Sequence, residues 1–264
     1  MKAVCLHDKD TIETFLRGNV FLNIYSLGDL DDFFWPYTTW YALTGSAGIR
    51  AVALMYTGGS LPCFHALAED NEAIYVEELL RCLMPILPRR FHAHLILWSE
   101  SILAERYCLR PYGRHERMAL KDKSQLANID TSEAEGLSMS NLSEIRSLFA
   151  TAYPGNYFEP RMLETKQYFG IRQAGELVSV AGVHVCSACY GVAALGNITT
   201  HPDYRGKGYG TTVTAKVCKS LLHNIDHIGL NVKVDNISAI KCYEKLGFEI
   251  FDSYGEFDVE LKLS

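Results

Sequence analysis

Several things are missing from this 264-residue chain, and each absence narrows what it can do. No apolar run reaches the ~18 residues a membrane-spanning helix needs. The opening "MKAVCLHDKDTIETF" turns acidic before an apolar signal core forms, so a cytoplasmic protein with no membrane partner is expected. Positive charge is in deficit, with a formal net charge of −6. A general nucleic-acid footprint needs a basic surface, so no nucleic-acid partner is expected. Of eight cysteines, Cys186 and Cys189 in "CSAC" form a CxxC pair, and no second CxxC completes a zinc site. They read as thiols beside a hairpin turn. His92 and His94 in "FHAHL" share the polar face of an alternating strand, opposite Phe91, Ala93 and Leu95. The motif places no third ligand, and no metal is expected there.

What is present is an ordinary soluble composition, 48% apolar and 21% charged, long enough for one large domain or two small ones. Residues 190–201, "YGVAALGNITTH", are apolar and read as a buried strand that Pro202 and Asp203 end. A basic, glycine-rich loop follows, Arg205-Gly206-Lys207-Gly208-Tyr209-Gly210. Beyond it Val213, Val217 and Leu221 recur at helical spacing. Strand, glycine loop and helix in that order put free backbone N–H groups and the positive end of a helix dipole at the loop, which suits a phosphate. The loop is not G-x-G-x-x-G, because Thr211 takes the last position, and not a Walker loop, because Gly208 follows Lys207. It is R-x-x-G-x-G.

A second segment lies downstream. Ile228, Leu230, Val232 and Val234 alternate as a strand. Asn236 can cap the helix that follows, whose Ile237, Ile240, Tyr243 and Leu246 are expected to face inward. Gly247 stops that helix and Phe248 begins another strand. The two motifs, R-x-x-G-x-G and N-x-x-A-x-x-x-Y-x-x-x-G-F, resemble in order and separation the acyl-CoA site of the GNAT N-acetyltransferase superfamily. The C-terminal half also resembles that superfamily's glycine N-acyltransferase-like branch.

The resemblance implies acetyl-CoA as co-substrate. Backbone N–H groups of Arg205, Gly206, Lys207, Gly208, Tyr209, Gly210 and Thr211 would cradle its pyrophosphate, with charge from Arg205 and Lys207. The backbone of Ile198, Thr199 and Thr200 would pair with the pantetheine arm as an added strand. Asn236 would hold the arm, cap the helix, or both. Tyr243 is the expected acid for the leaving thiolate; from spacing alone it is also a reasonable core aromatic. Many relatives carry a glutamate on the strand before the loop, whereas 191–201 has no carboxylate and Asn197 is its central polar residue. His184 in the preceding strand is the expected general base, with His201 or bulk water as alternatives and a hydrogen-bonded sheet histidine as its plain reading. Tyr153, Tyr157, Phe158 and Asn197 are candidate acceptor contacts; packing is the plain alternative.

The first half repeats the element order of the second: helices at 9–17 and 20–34, strands at 39–44, 49–56 and 61–68, a helix at 71–83, a strand at 91–98, a helix at 99–108 and a strand near 115–121. The expected fold is thus α/β, an α+β mixed sheet in a tandem GNAT-like arrangement, with a degenerate copy at 1–112 and a catalytic one at 113–264. Residues 122–135 are polar and read as a linker. Where the second copy has its glycine loop, the first has "LAEDNEA", whose Glu69, Asp70 and Glu72 would repel a pyrophosphate. The acids and aromatics of 28–41 read as a helix end and core, or as a path for a cationic acceptor. The expected function is acetyl transfer from acetyl-CoA to a primary amine, of a small molecule or amino acid, by direct attack in a ternary complex, in a monomer or homodimer. Alternatives are a peptide or protein amine acceptor and a non-catalytic acyl-CoA-binding module.

Overall fold

The computed structural model describes residues 1–262. The chain divides into two compact units. Met1–Arg117, Lys233–Asp235 and the chain from Phe251 onward form the first; Met118–Val232 and Asn236–Ile250 form the second. The sequence places a boundary between 112 and 113. The units instead divide after Arg117, and the C-terminal residues return to the first unit.

The first unit opens with β1 (Lys2–Leu6), absent from the sequence reading, then α1 (Lys9–Leu16), capped by the Asp8 carboxylate on Thr11 N–H. The helix expected over 20–34 is only α2 (Ile24–Gly28) among turns. Leu30, Phe34 and Trp40 are buried, so the apolar part of 28–41 serves the core. β2 (Thr38–Gly45), β3 (Gly48–Tyr56) and β4 (Cys63–Ala66) follow. α3 (Ala73–Leu83) buries Val76, Leu79, Leu80 and Leu83, one stripe at i, i+3, i+4 and i+7. β5 (Arg90–Leu95) runs parallel to β4, so α3 is a strand-to-strand crossover. α4 (Glu100–Leu103) is shorter than the helix expected over 99–108, because β6 (Tyr107–Leu120) has already begun.

The second unit contains a 3-10 turn over Lys123–Asn128 where a linker was read, then β7 (Glu135–Gly136) and α5 (Leu142–Ala152). β8 (Phe169–Gln173) and β9 (Glu176–Ser187) form a hairpin whose turn residues, Ala174 and Gly175, both have positive φ. β10 (Val192–Thr200) pairs antiparallel with β9 and leads to α6 (Tyr209–Leu221). β11 (His227–Lys233) is parallel to β10, so α6 is again a crossover. α7 (Ile237–Lys245) and β12 (Phe248–Leu261) complete the chain. Ile240, Tyr243 and Leu246 face inward as expected, but Ile237, at the first position of α7, is 53% exposed.

In the first unit the sheet order is β1-β2-β3-β4-β5-β12-β6, and in the second it is β11-β10-β9-β8-β7. Each unit has its own apolar core. In the first, α3 packs with Phe64, Phe91, Leu95 and Val259. In the second, Ile145, Phe149, Val213, Val217, Leu230 and Phe248 close one cluster. No helix among the described residues is long and apolar enough to cross a membrane.

Candidate active site

The loop between β10 and α6 has the geometry its glycines suggest. Gly206 (φ +76°) and Gly208 (φ +88°) are left-handed, a conformation that residues with a Cβ adopt at a cost. A Cβ on either would meet nothing within 4 Å, so both face open space rather than protein. Gly208 caps α6 with no side-chain hydrogen bond, which leaves the first-turn N–H groups of Tyr209, Gly210 and Thr211 without an intrahelical acceptor. These N–H groups and the helix dipole suit the pyrophosphate of acetyl-CoA.

The two cations of the loop behave differently. Arg205 is tied down: its Nε donates to the Thr200 carbonyl at 3.2 Å and its Nη2 to the Ala152 carbonyl at 3.3 Å. It fastens the loop to the end of β10 and to the C-terminus of α5. Lys207 is exposed, with Nζ 4.7 Å from the centre of the Tyr204 ring. It is the cation with freedom to reach a ligand.

The strand before the loop has an open edge. The β10–β11 ladder runs from Val192–His227 to Leu195–Leu230 and stops there. On its other side β10 stays paired with β9, with register shifts between Ala194 and Leu195 and between Gly196 and Thr199. Asn197 sits at the second shift with φ +55°. The bulge bends the strand, and Ile198, Thr199 and Thr200 lie past the last β11 partner, half-buried.

Bulge residues make specific contacts. The Asn197 amide donates to the Tyr168 hydroxyl at 2.9 Å, and that hydroxyl donates to the Val183 carbonyl at 2.9 Å. Asn197 is 3% exposed, and its Oδ1 is buried without a hydrogen-bond partner. That leaves an acceptor pointing at no protein donor, but the side chain itself is fixed in the core. His184, on β9, lies against the backbone of β10: a Cβ on Gly196 would stand 2.1 Å from its ring. Tyr157 presents its ring to the same imidazole, edge-on at 6.2 Å. His201 has another task, because its Nδ1 accepts the Asp203 N–H at 3.3 Å and caps a turn.

Tyr243 is 7% exposed on α7. Burial pushes its phenol above the ordinary value, with smaller contributions from Cys242 and Tyr153, so it is a protonated donor at neutral pH. α7 is linked to the first turn of α6 through Thr211 Oγ1 and Cys242 Sγ, 3.1 Å apart. Asn236 caps α7, its Oδ1 accepting the Ala239 N–H at 3.3 Å. Gly247 ends that helix at φ +88°, where a Cβ would stand 2.0 Å from the Asp122 carbonyl oxygen. Of the acceptor candidates, Tyr153 is exposed and Tyr157 meets His184. Phe158 is packed between Phe149 (5.1 Å) and Tyr168 (5.8 Å), a core role.

Two residues at the site were missed by the sequence reading. Gly196 had a signal: a lone glycine inside an apolar strand marks a bulge or a close approach. Tyr168, which holds the Asn197 amide, had none, since its partner lies 29 residues away.

Residues 140–248 match the acetyltransferase (GNAT) family. Over 54 residues the chain is 41% identical to an acetyltransferase of Sodalis glossinidius, a stretch that covers 20% of this chain and 38% of that protein. Solved structures extend the likeness to the whole fold. A Drosophila protein superposes with a TM-score of 0.70 at 11% identity, covering 98% of each chain. A tandem GNAT protein from the clavulanic acid biosynthesis pathway superposes with a TM-score of 0.54 at 14% identity, covering 100% of this chain and 99% of that one. The fold is a mixed α/β, tandem GNAT-like one, with a GNAT domain at residues 140–248.

Proposed function

We propose that the second unit transfers an acetyl group from acetyl-CoA to a primary amine of a small molecule or amino acid, by direct attack in a ternary complex. The observation that carries this reading is the bare N-terminus of α6 behind two left-handed glycines, next to a strand edge left open where the β10–β11 ladder ends. Acetyl-CoA would supply the acetyl group as an activated thioester. The N–H groups of residues 206–211 bind its pyrophosphate, not that of Arg205, which already donates to the Pro202 carbonyl at 3.2 Å, and the backbone of Ile198, Thr199 and Thr200 orients the arm along β10. Tyr243, held protonated by burial, donates the proton that the leaving thiolate needs. His184, half-buried against Gly196 and beside Tyr157, takes the proton from the amine. Tyr153 and Tyr157 contact the acceptor, and the unpaired Asn197 Oδ1 is a further acceptor of hydrogen bonds at the bulge.

One observation favours a second reading, a non-catalytic acyl-CoA-binding module: β10 carries no carboxylate. Free-thiol release from acetyl-CoA over a broad panel of small amines, amino acids and peptides separates the two. Amine-dependent release is expected. Tight coenzyme A binding with no release on any amine would replace the enzyme with the binding module.

A further inference from the structure

The first unit carries a cluster of imidazoles around a buried carboxylate that acetyl transfer does not use. Strand register builds it. The parallel β4–β5 ladder pairs Cys63 with His92 and His65 with His94. The antiparallel β5–β12 ladder pairs His94 with Glu256 and His92 with Asp258. Alternate residues share a face of a sheet, so His65, His94 and Glu256 form one row and Cys63, His92 and Asp258 the next. The opposite face, with Phe64, Phe91, Ala93 and Val259, belongs to the apolar core. β6, next to β12 in the sheet, adds His115.

The donors converge on Glu256, which is 8% exposed. His92 Nε2 is 3.4 Å from Glu256 Oε2. His94 Nε2 and His115 Nδ1 are each 3.6 Å from Oε1. Donor atoms around a tetrahedral zinc with ~2 Å bonds stand about 3.3 Å apart, close to these separations. The ligand atoms of His92, His94 and Glu256 all lie within 4.8 Å of one another.

Hydrogen bonding orients the set. His92 Nδ1 is 3.1 Å from Asp258 Oδ1. A hydrogen on Nδ1 makes that bond and turns the Nε2 lone pair towards Glu256, the carboxylate–histidine arrangement that supports metal ligands. A lone pair facing a carboxylate at 3.4 Å repels it unless a cation stands between them. A proton serves one such pair. Here two more nitrogens approach the same carboxylate. Tyr254 donates to Glu256 Oε1 and further fixes the carboxylate.

We infer that the first unit binds one divalent first-row transition-metal ion, zinc by its donor set, through His92 Nε2, His94 Nε2 and the Glu256 carboxylate, with Asp258 orienting His92. Imidazole nitrogens with a single carboxylate suit zinc, whereas magnesium and calcium take oxygen ligands. The sequence motif showed only His92 and His94. The third ligand lies 164 residues beyond His92 in the chain.

The test uses the full chain after chelator treatment, titrated with zinc in competition with a chromogenic chelator and, separately, with cobalt(II) as a spectroscopic probe. One equivalent of zinc is expected, with a tetrahedral cobalt spectrum. His94→Gln and Glu256→Gln should each weaken zinc binding at least about 100-fold, and Asp258→Asn about tenfold, as loss of a supporting group does. The double variant Cys186→Ser/Cys189→Ser should bind as wild type. Near-UV circular dichroism confirms folding; if Glu256→Gln or His94→Gln unfolds, His92→Gln carries the same expectation. Wild-type binding no tighter than that of the folded histidine variants, or loss of binding in the cysteine variant instead, would overturn the inference.

Discussion

The two units make the same crossover and put different chemistry at its turn. β4–α3–β5 in the first and β10–α6–β11 in the second are both strand, helix and parallel strand. In the second, the connection holds two left-handed glycines and ends on a helix start with no side-chain cap. In the first, residues 67–72 contain no glycine, α3 starts after a 3-10 turn, and Glu72 stands at the cap position, again with no side-chain cap hydrogen bond. A carboxylate at a helix N-terminus satisfies the dipole locally and repels a phosphate. The sheet faces differ in the opposite sense. The first unit spends one face on four histidines and Glu256, while β9 of the second is buried along nearly its whole length and apolar but for Glu176, Ser179, His184 and Ser187. One architecture thus offers two kinds of site, and the turn and the sheet face decide which.

The comparison breaks most sharply at Tyr243. Tyr243→Phe should lower kcat at least tenfold and up to about 10⁴-fold while coenzyme A affinity holds, because a positioned acid contributes on that scale. The sign of the pH dependence follows from burial. A phenol raised above its ordinary value of about 10 stays protonated as pH rises, so loss of this acid should appear only above that value. An alkaline fall near pH 8 that Tyr243→Phe abolishes would contradict the raised phenol. His184 and His201 form a second contrast. His184→Gln should lower kcat about 100-fold, whereas His201→Gln removes only a turn cap and should cost about 1 kcal/mol of stability with kcat nearly unchanged. Equal activity losses in both would remove the base assignment. A smaller effect is expected at the end of α7. Gly247→Ala places a Cβ against the Asp122 carbonyl at positive φ and should destabilise the protein by about 2–4 kcal/mol, read by thermal denaturation.

The second unit was more legible in the sequence than the first, for physical reasons. Its loop, cap and helix signals are local: Gly208, Asn236 and Gly247 each sit where the backbone they permit is needed. β6 was hidden because Pro111, Gly113 and several charges interrupt its alternation, which left only its last stretch readable as a strand. β1 was too short and too plain to stand out. The domain division was displaced because β12 pairs with β5 across 160 to 170 positions, from Gly255–Leu95 to Glu260–Arg90. The same long range hid the third donor of the histidine cluster. The Tyr168–Asn197 contact, which braces the bulge, was hidden likewise, since neither residue belongs to a motif.

Calorimetric titration of coenzyme A into three proteins tests the central contrast most directly: wild type, Gly208→Val and Glu72→Gln. The account predicts one site per chain, an affinity about 5- to 30-fold weaker in Gly208→Val, since a left-handed residue with a Cβ costs about 1–2 kcal/mol, and unchanged binding in Glu72→Gln. Two equivalents per chain, or wild-type binding in Gly208→Val, would contradict it.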